Sequence, residues 1–157
     1  MVAWWAIAAA VLAADQLTKA WITIRLELGD VWPVVPGFFD LVHWRNTGAA
    51  WGMFQGLNAL LIVVSVAVLV ALVVWREKFH WERRGARVAT ALWVGGITGN
   101  LVDRVRLGAV VDFLDFYIGR WHWPAFNVAD SAICVGVVLY VLSTWRVAEK
   151  PGNAQIG

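Results

Sequence analysis

The sequence predicts an α-helical polytopic membrane protein: four transmembrane helices, short strands outside the bilayer, and an interfacial helix on its surface. Three observations lead there. The chain is 61% hydrophobic and only 15% charged over 157 residues, with a mean hydropathy of +0.65. That leaves too little polar surface for a soluble domain of this size. Apolar stretches of nearly membrane-crossing length recur along the chain. Twelve Trp are present, a residue enriched where membrane meets water.

The first apolar stretch, residues 2–24, is interrupted by Asp15 and Lys19. No Lys or Arg precedes it and its polar residues fall inside the run, so it reads as a retained helix, not a signal peptide. The second, residues 57–75, has no charge. The third, residues 88–102, continues past Asp103, and the fourth runs from about Asn127 to Trp145. A helix needs roughly 20 residues to cross the hydrocarbon core. The third and fourth therefore span only if Asp103 and Asp130 lie in the membrane or at its edge, where charges are expensive and usually functional.

Between the helices the pattern changes. Residues 25–56 are broken by Gly29, Pro33, Pro36 and Gly37, while 31–35 and 38–44 are rich in β-branched and aromatic residues, which predicts short strands. Residues 104–125 form a second outer segment, in which 106–125 is amphipathic, carries Trp121 and Trp123, and reads as lying on the membrane surface. Length makes the chain a single membrane domain, 1–157. Its tail, residues 149–157 with Pro151 and Gly152, reads as disordered.

Orientation follows from Lys and Arg. Arg76, Lys78, Arg83, Arg84 and Arg87 crowd the 76–87 loop, and Arg146 and Lys150 lie on the same side, against Arg25, Arg45, Arg104, Arg106 and Arg120 opposite. Both termini and the 76–87 loop are expected in the cytoplasm. A net charge of +2 with no basic stripe excludes nucleic acid as a partner.

Three helices bring polar residues to one depth. At 1.5 Å per residue, Asp15 and Lys19 lie roughly 17 and 22 Å from the cytoplasmic end of the first helix. Asn100 and Asp103 fall at roughly 18 and 22 Å in the third, and Asp130 at about 22 Å in the fourth, with Asn127 higher. Asp15 and Lys19 are i,i+4, suited to an ion pair. Asn100, Asp103 and Arg104 share one face. Gly95 and Gly99 have small-xxx-small spacing for close packing. Asp112 lies just outside the membrane, where a turn of the chain can carry it back towards Asp130.

Each residue has a plainer reading. Asp15–Lys19 and Asp103–Arg104 read as structural ion pairs, Asn127 as a helix cap, and Asp112, taken alone, as a solvated loop residue. Asp130 needs a partner or a proton at its depth. Other chemistries are unsupported. There is no GxSxG elbow, and no Ser, including Ser131, has a His partner. His43, His80 and His122 are scattered and no HExxH or Cys–His cluster exists, so no metal or other cofactor is expected. Cys134 reads as packing. What remains is a carboxylate pair that shares a proton and activates water. The competing readings are a small ion- or proton-conducting transporter subunit, disfavoured by the missing inverted repeat, and a non-catalytic assembly protein.

Four blocks carry a resemblance. They are Asp15-Gln16-Leu17-Thr18-Lys19; Asn46-Thr47-Gly48-Ala49-Ala50-Trp51-Gly52; Gly99-Asn100-Leu101-Val102-Asp103-Arg104 with Gly108-Ala109-Val110-Val111-Asp112-Phe113; and Phe126-Asn127-Val128-Ala129-Asp130-Ser131. In order and spacing they resemble the bacterial lipoprotein signal peptidases, the type II signal peptidases. The departure is Trp51, where Phe is expected, a change in pocket shape and not in chemistry. The resemblance implies an aspartyl endopeptidase of the cytoplasmic membrane, with its site near the outer face. It would cut prolipoproteins just before a diacylglyceryl-modified Cys. It implies Asp112 and Asp130 as the catalytic pair, with Asp15, Lys19, Asn46, Gly48, Asn100, Asp103, Arg104 and Asn127 supporting them or binding substrate. Lipid-modified prolipoproteins, membrane lipids and the cyclic-peptide inhibitors of the family are the implied partners. The family fold adds an outer β-sheet cradle and a surface helix to four membrane helices. Asn127 or a nearby backbone amide is the expected oxyanion donor.

Overall fold

The computed structural model describes residues 2–48 and 53–145. Trp51 and the 149–157 tail, for which the sequence gives expectations, lie outside the described residues. In chain order the elements are α1 (Val2–Arg25), β1 (Val31–Val35), β2 (Phe39–Asn46), α2 (Asn58–Val74), a 3-10 turn (Arg76–Phe79), α3 (Arg84–Leu107), β3 (Val110–Ile118), β4 (Trp121–His122) and α4 (Val128–Trp145).

All four apolar stretches are helical. Trp4–Arg25 and Val128–Trp145 are long and apolar enough to cross a membrane. Asn58–Val74 is more apolar than either but has 17 residues. α3 has 24 but carries Arg84, Arg87, Asp103, Arg104 and Arg106 towards its ends. It starts four residues before the expected Val88, at Arg84, so the 76–87 loop is shorter than its sequence suggests. Gly108 closes α3 in the left-handed region (φ 73°), with its N–H donating to Arg104 O. A β-carbon is disfavoured in that conformation.

α3 is the central helix, packed on α1, α4 and α2. Its buried face is small: Ala86, Ala89, Ala91, Gly95, Gly96 and Gly99 among others. A β-carbon on Gly95 would sit 2.7 Å from Ala8 O, and one on Gly96 would sit 2.5 Å from Ala129 O. Backbones thus meet where side chains would hold them apart, as between membrane helices. Polarity is distributed inside out. Asp15, Lys19, Asn100, Asp103 and Asn127 are buried, while Val63, Val70, Val73 and Val138 face outward. The buried charges find their partners inside the protein, and the exposed valines suit an apolar, lipid-like surround.

The strands form one antiparallel sheet in the order β1-β2-β3-β4. β1 matches the expected 31–35, and β2 extends the expected 38–44 to Asn46. Pro33 is tolerated in β1 because that strand is an edge. β2 and β3 pair Asp40↔Asp115 and Trp44↔Asp112, with an irregularity between Leu41 and Trp44. Phe126 bridges to Leu114, which ties the chain before α4 to β3. One expectation is corrected: residues 106–125 form no surface helix. They hold the end of α3, then β3 and β4. The run VVDFLDFYI is β-branched and aromatic, and pairing with β2 lets it bury as a strand what looked like the apolar face of a helix.

Candidate active site

Five buried or half-buried side chains, Asp15, Gln16, Lys19, Asn100 and Asp103, bind α1 to α3. Lys19 Nζ lies 2.8 Å from Asp15 Oδ2 and 2.9 Å from Asp103 Oδ2, and donates to Asn100 Oδ1 at 3.0 Å. Gln16 Nε2 donates to Asp15, Asp103 and the Gly99 carbonyl. The carboxylates reach beyond the pair of helices as well. Asp15 Oδ1 accepts from the Ala129 amide of α4 at 2.9 Å, and Asp103 Oδ2 from the Val111 amide of β3 at 3.1 Å. One lysine between two carboxylates, with the remaining lone pairs hydrogen-bonded, is how ions are held away from water. The expected Asp15–Lys19 pair is present. Asp103, however, pairs with Lys19 and not with Arg104. Consecutive helical residues point about 100° apart, and Arg104 turns into the neighbouring cleft, donating to Gly48 O at 3.3 Å.

On this base two further carboxylates come together. Asn127 caps α4: its Oδ1 accepts from the Asp130 amide at 2.9 Å, while Asp130 Oδ2 accepts from the Asn127 amide at 3.2 Å. This reciprocal box fixes the Asp130 rotamer. Asn100 Nδ2 donates to Asp130 Oδ1 at 2.7 Å. Asp112 comes from β3, after the Gly108 turn. Its Oδ1 accepts from Asn127 Nδ2 at 2.8 Å and its Oδ2 from Asn46 Nδ2 at 3.1 Å. Asn127 therefore touches both carboxylic acids from a fully buried position. Its side-chain amide also lies within reach of Asn100 Oδ1 and Val111 O. So occupied and enclosed, it does not suit the oxyanion role the sequence suggested for it.

Asp112 and Asp130 line one cleft of about 440 Å³ with Asn46, Gly48, Asn100 and Arg104. Its other side is apolar, including Phe126, Ile133 and Cys134. Burial, followed by the charge of Asp130, pushes the Asp112 carboxyl up to about 7, against the opposing hydrogen bonds from Asn46 and Asn127. Such a pair can hold one proton near neutral pH. Among the described residues no three His, Cys, Asp or Glu converge as metal ligands.

The structure thus joins Asp15, Lys19, Asn100, Asp103, Asn127, Asp112, Asp130, Asn46, Gly48 and Arg104 into one network. Sequence reasoning missed two members. Gln16 stands inside the first quoted block, but nothing in its spacing marked it. Asn58, whose Nδ2 donates to Arg104 O at 3.1 Å, gives no sequence signal beyond opening α2.

The family model for signal peptidase (SPase) II matches residues 7–146. The chain belongs to the signal peptidase II family. It is 48% identical over 143 residues to a lipoprotein signal peptidase of Syntrophotalea carbinolica, covering 89% of each chain. Against that of Bacillus pumilus it is 43% identical over 144 residues, covering 92% of this chain and 93% of the other. A bacterial membrane enzyme structure obtained by the in meso method superposes with a TM-score of 0.90 at 32% identity, over 100% of this chain and 96% of that one. A second gives 0.82 at 34% identity, over 96% of each. The transporter reading finds no support among these family members.

Proposed function

We propose that this protein is an aspartic endopeptidase that removes signal peptides from prolipoproteins, cutting just before a diacylglyceryl-modified Cys. It crosses the bacterial cytoplasmic membrane four times, with both termini inside and the sheet outside. The single observation that carries the chemistry is the meeting of Asp112 and Asp130 in one cleft, both bound to Asn127. Family membership supports the substrate, and the polar interior under an apolar exterior supports the membrane setting.

In this reading Asp112 holds the shared proton and polarises the scissile carbonyl. Asp130 is ionised and takes a proton from the attacking water. As the tetrahedral intermediate collapses, the leaving nitrogen receives a proton and the carboxyl pair returns to its singly protonated state. Asn46, Asn100 and Asn127 orient the two carboxyls and touch no substrate in this scheme. Arg104, a cation on the cleft wall, is placed to draw substrate carbonyls towards the acids. Asp15, Lys19 and Asp103 fix α1 against α3 beneath them.

Replacing either acid by its isosteric amide is the test. Asp112→Asn and Asp130→Asn each should lower cleavage of a lipidated precursor by at least about 10²-fold, since each removes one acid–base role. Thermal unfolding should show both variants folded. Wild-type turnover by either folded variant would remove that residue from the chemistry.

A further inference from the structure

One wall of the cleft is the run Trp123, Pro124, Ala125 and Phe126, between β4 and the first turn of α4. Its backbone ties to β3 lie at its two ends. Phe126 is held by three, its N donating to Leu114 O at 3.1 Å and its O accepting from Phe113 N at 3.0 Å and Leu114 N at 2.9 Å, whereas at the β4 end Trp123 N donates to Phe116 O at 2.8 Å, and Pro124 between them has no N–H to give. β4 itself pairs only at Tyr117↔His122 and Ile118↔Trp121. A ribbon this short is marginal by its ladder alone.

Side chains reinforce it. His122 Nδ1 lies 2.9 and 3.1 Å from the two Asp115 oxygens. Both contacts are carboxylate oxygens, so Nδ1 carries the proton and donates. The imidazole lies flat on Tyr117, with ring centroids 4.8 Å apart and 11° between planes. Tyr117 in turn donates to Asp40 Oδ1 at 3.3 Å. Asp115 is 2% exposed and stands opposite Asp40 in the sheet register. Two acids so placed disfavour each other, which makes a donor to Asp115 valuable. Asp115 lies three residues from Asp112, on the other face of the strand by alternation. The pair thus stays away from the reacting groups.

We propose that Asp115 and His122 are positioning residues for substrate recognition. Their hydrogen bond locks β4 onto β3 and so holds residues 123–126 as the wall against which the peptide beside the scissile bond is gripped. This rests on the peptidase reading above. Loosening the lock weakens binding and leaves the acids in place, so it acts on KM and spares kcat.

Two substitutions separate the donor from the ring. His122→Phe keeps an aromatic ring on Tyr117 and removes the donor, whereas His122→Asn keeps a donor where Nδ1 stands. Steady-state cleavage of a lipidated precursor should give a KM about tenfold higher for His122→Phe, the scale of a lost charge-assisted hydrogen bond. Its kcat should stay within about threefold, and His122→Asn should restore KM. Hydrogen exchange on the full chain in micelles should show faster deuterium uptake at the Trp123 amide of His122→Phe, and unchanged uptake in α1 and α3. An unchanged KM overturns the proposal, and so does a loss of kcat alone or a raised KM without faster exchange. If His122→Phe fails to fold, adding Asp115→Asn removes the stranded carboxylate, and the same KM rise is expected. An inactive wild type would count against the peptidase reading, while the exchange result still decides the lock.

Discussion

At Asp112 opposing effects meet, and their balance sets a pH dependence. Hydrogen bonds from Asn46 and Asn127 favour the carboxylate; burial and the charge of Asp130 favour the acid and win, moving the group up to about 7. Lys19 acts with the amides, and Arg104, Asp103 and Asp15 are the other charges around the cleft and its base. In the proposed scheme the reaction needs Asp112 protonated, so kcat/KM should fall as pH rises through about 7 and approach a tenfold loss per unit above that. Asn46→Leu removes a bond to the charged form and should move this alkaline limb to higher pH. A profile flat to about pH 9 would mean that Asp112 does not hold the proton. At this scale the sequence was readable where spacing alone decides. The Asn127–Asp130 box is an i,i+3 pattern, and the Asp15–Lys19 pair an i,i+4 one. The direction of Arg104 was not readable, because a shared helix face groups residues whose side chains still diverge towards different neighbours.

Among the elements, α3 depends on how little it carries on its inner face. A β-carbon at Gly99 would stand 2.5 Å from Asp15 Oδ2 and 3.4 Å from Ala129 Cβ. Gly99→Ala must therefore push Asp15 off Lys19 and off the Ala129 amide, or move α4. Overpacking of this kind costs about 1–3 kcal/mol, and thermal unfolding in detergent should register it as a lower Tm. An unchanged Tm would show that the helices adjust freely and that the close approach has no structural weight. The Gly95–Gly99 spacing made this contact legible in the sequence. The strands divided differently. Residues 31–35 and 38–44 announced themselves by composition and by the glycines and prolines around them. Residues 110–118 did not, since one buried strand edge and one apolar helix face give similar short patterns. The position of Asp112 was hidden with them: it depends on the Gly108 turn and on the register shift between Leu41 and Trp44.

For the whole molecule, constant helical rise let the sequence place Asp15, Lys19, Asn100, Asp103 and Asp130 at one level, and the structure brings those side chains together. Their common depth also restricts the substrate. If the helices span the bilayer, the scissile bond must be held near the outer third of the membrane, beside the cleft and its apolar side at Phe126, Ile133 and Cys134. A diacylglyceryl group supplies that anchor, each buried CH₂ adding about 0.8 kcal/mol to membrane association. Fixing the position of the bond is itself a large part of catalysis. The most direct measurement compares two precursors of identical sequence, with and without the diacylglyceryl group, incubated with the purified protein in one detergent and followed by mass spectrometry. The account predicts cleavage just before the modified Cys in the first and little or none in the second; equal rates, or no cleavage of either, would contradict it.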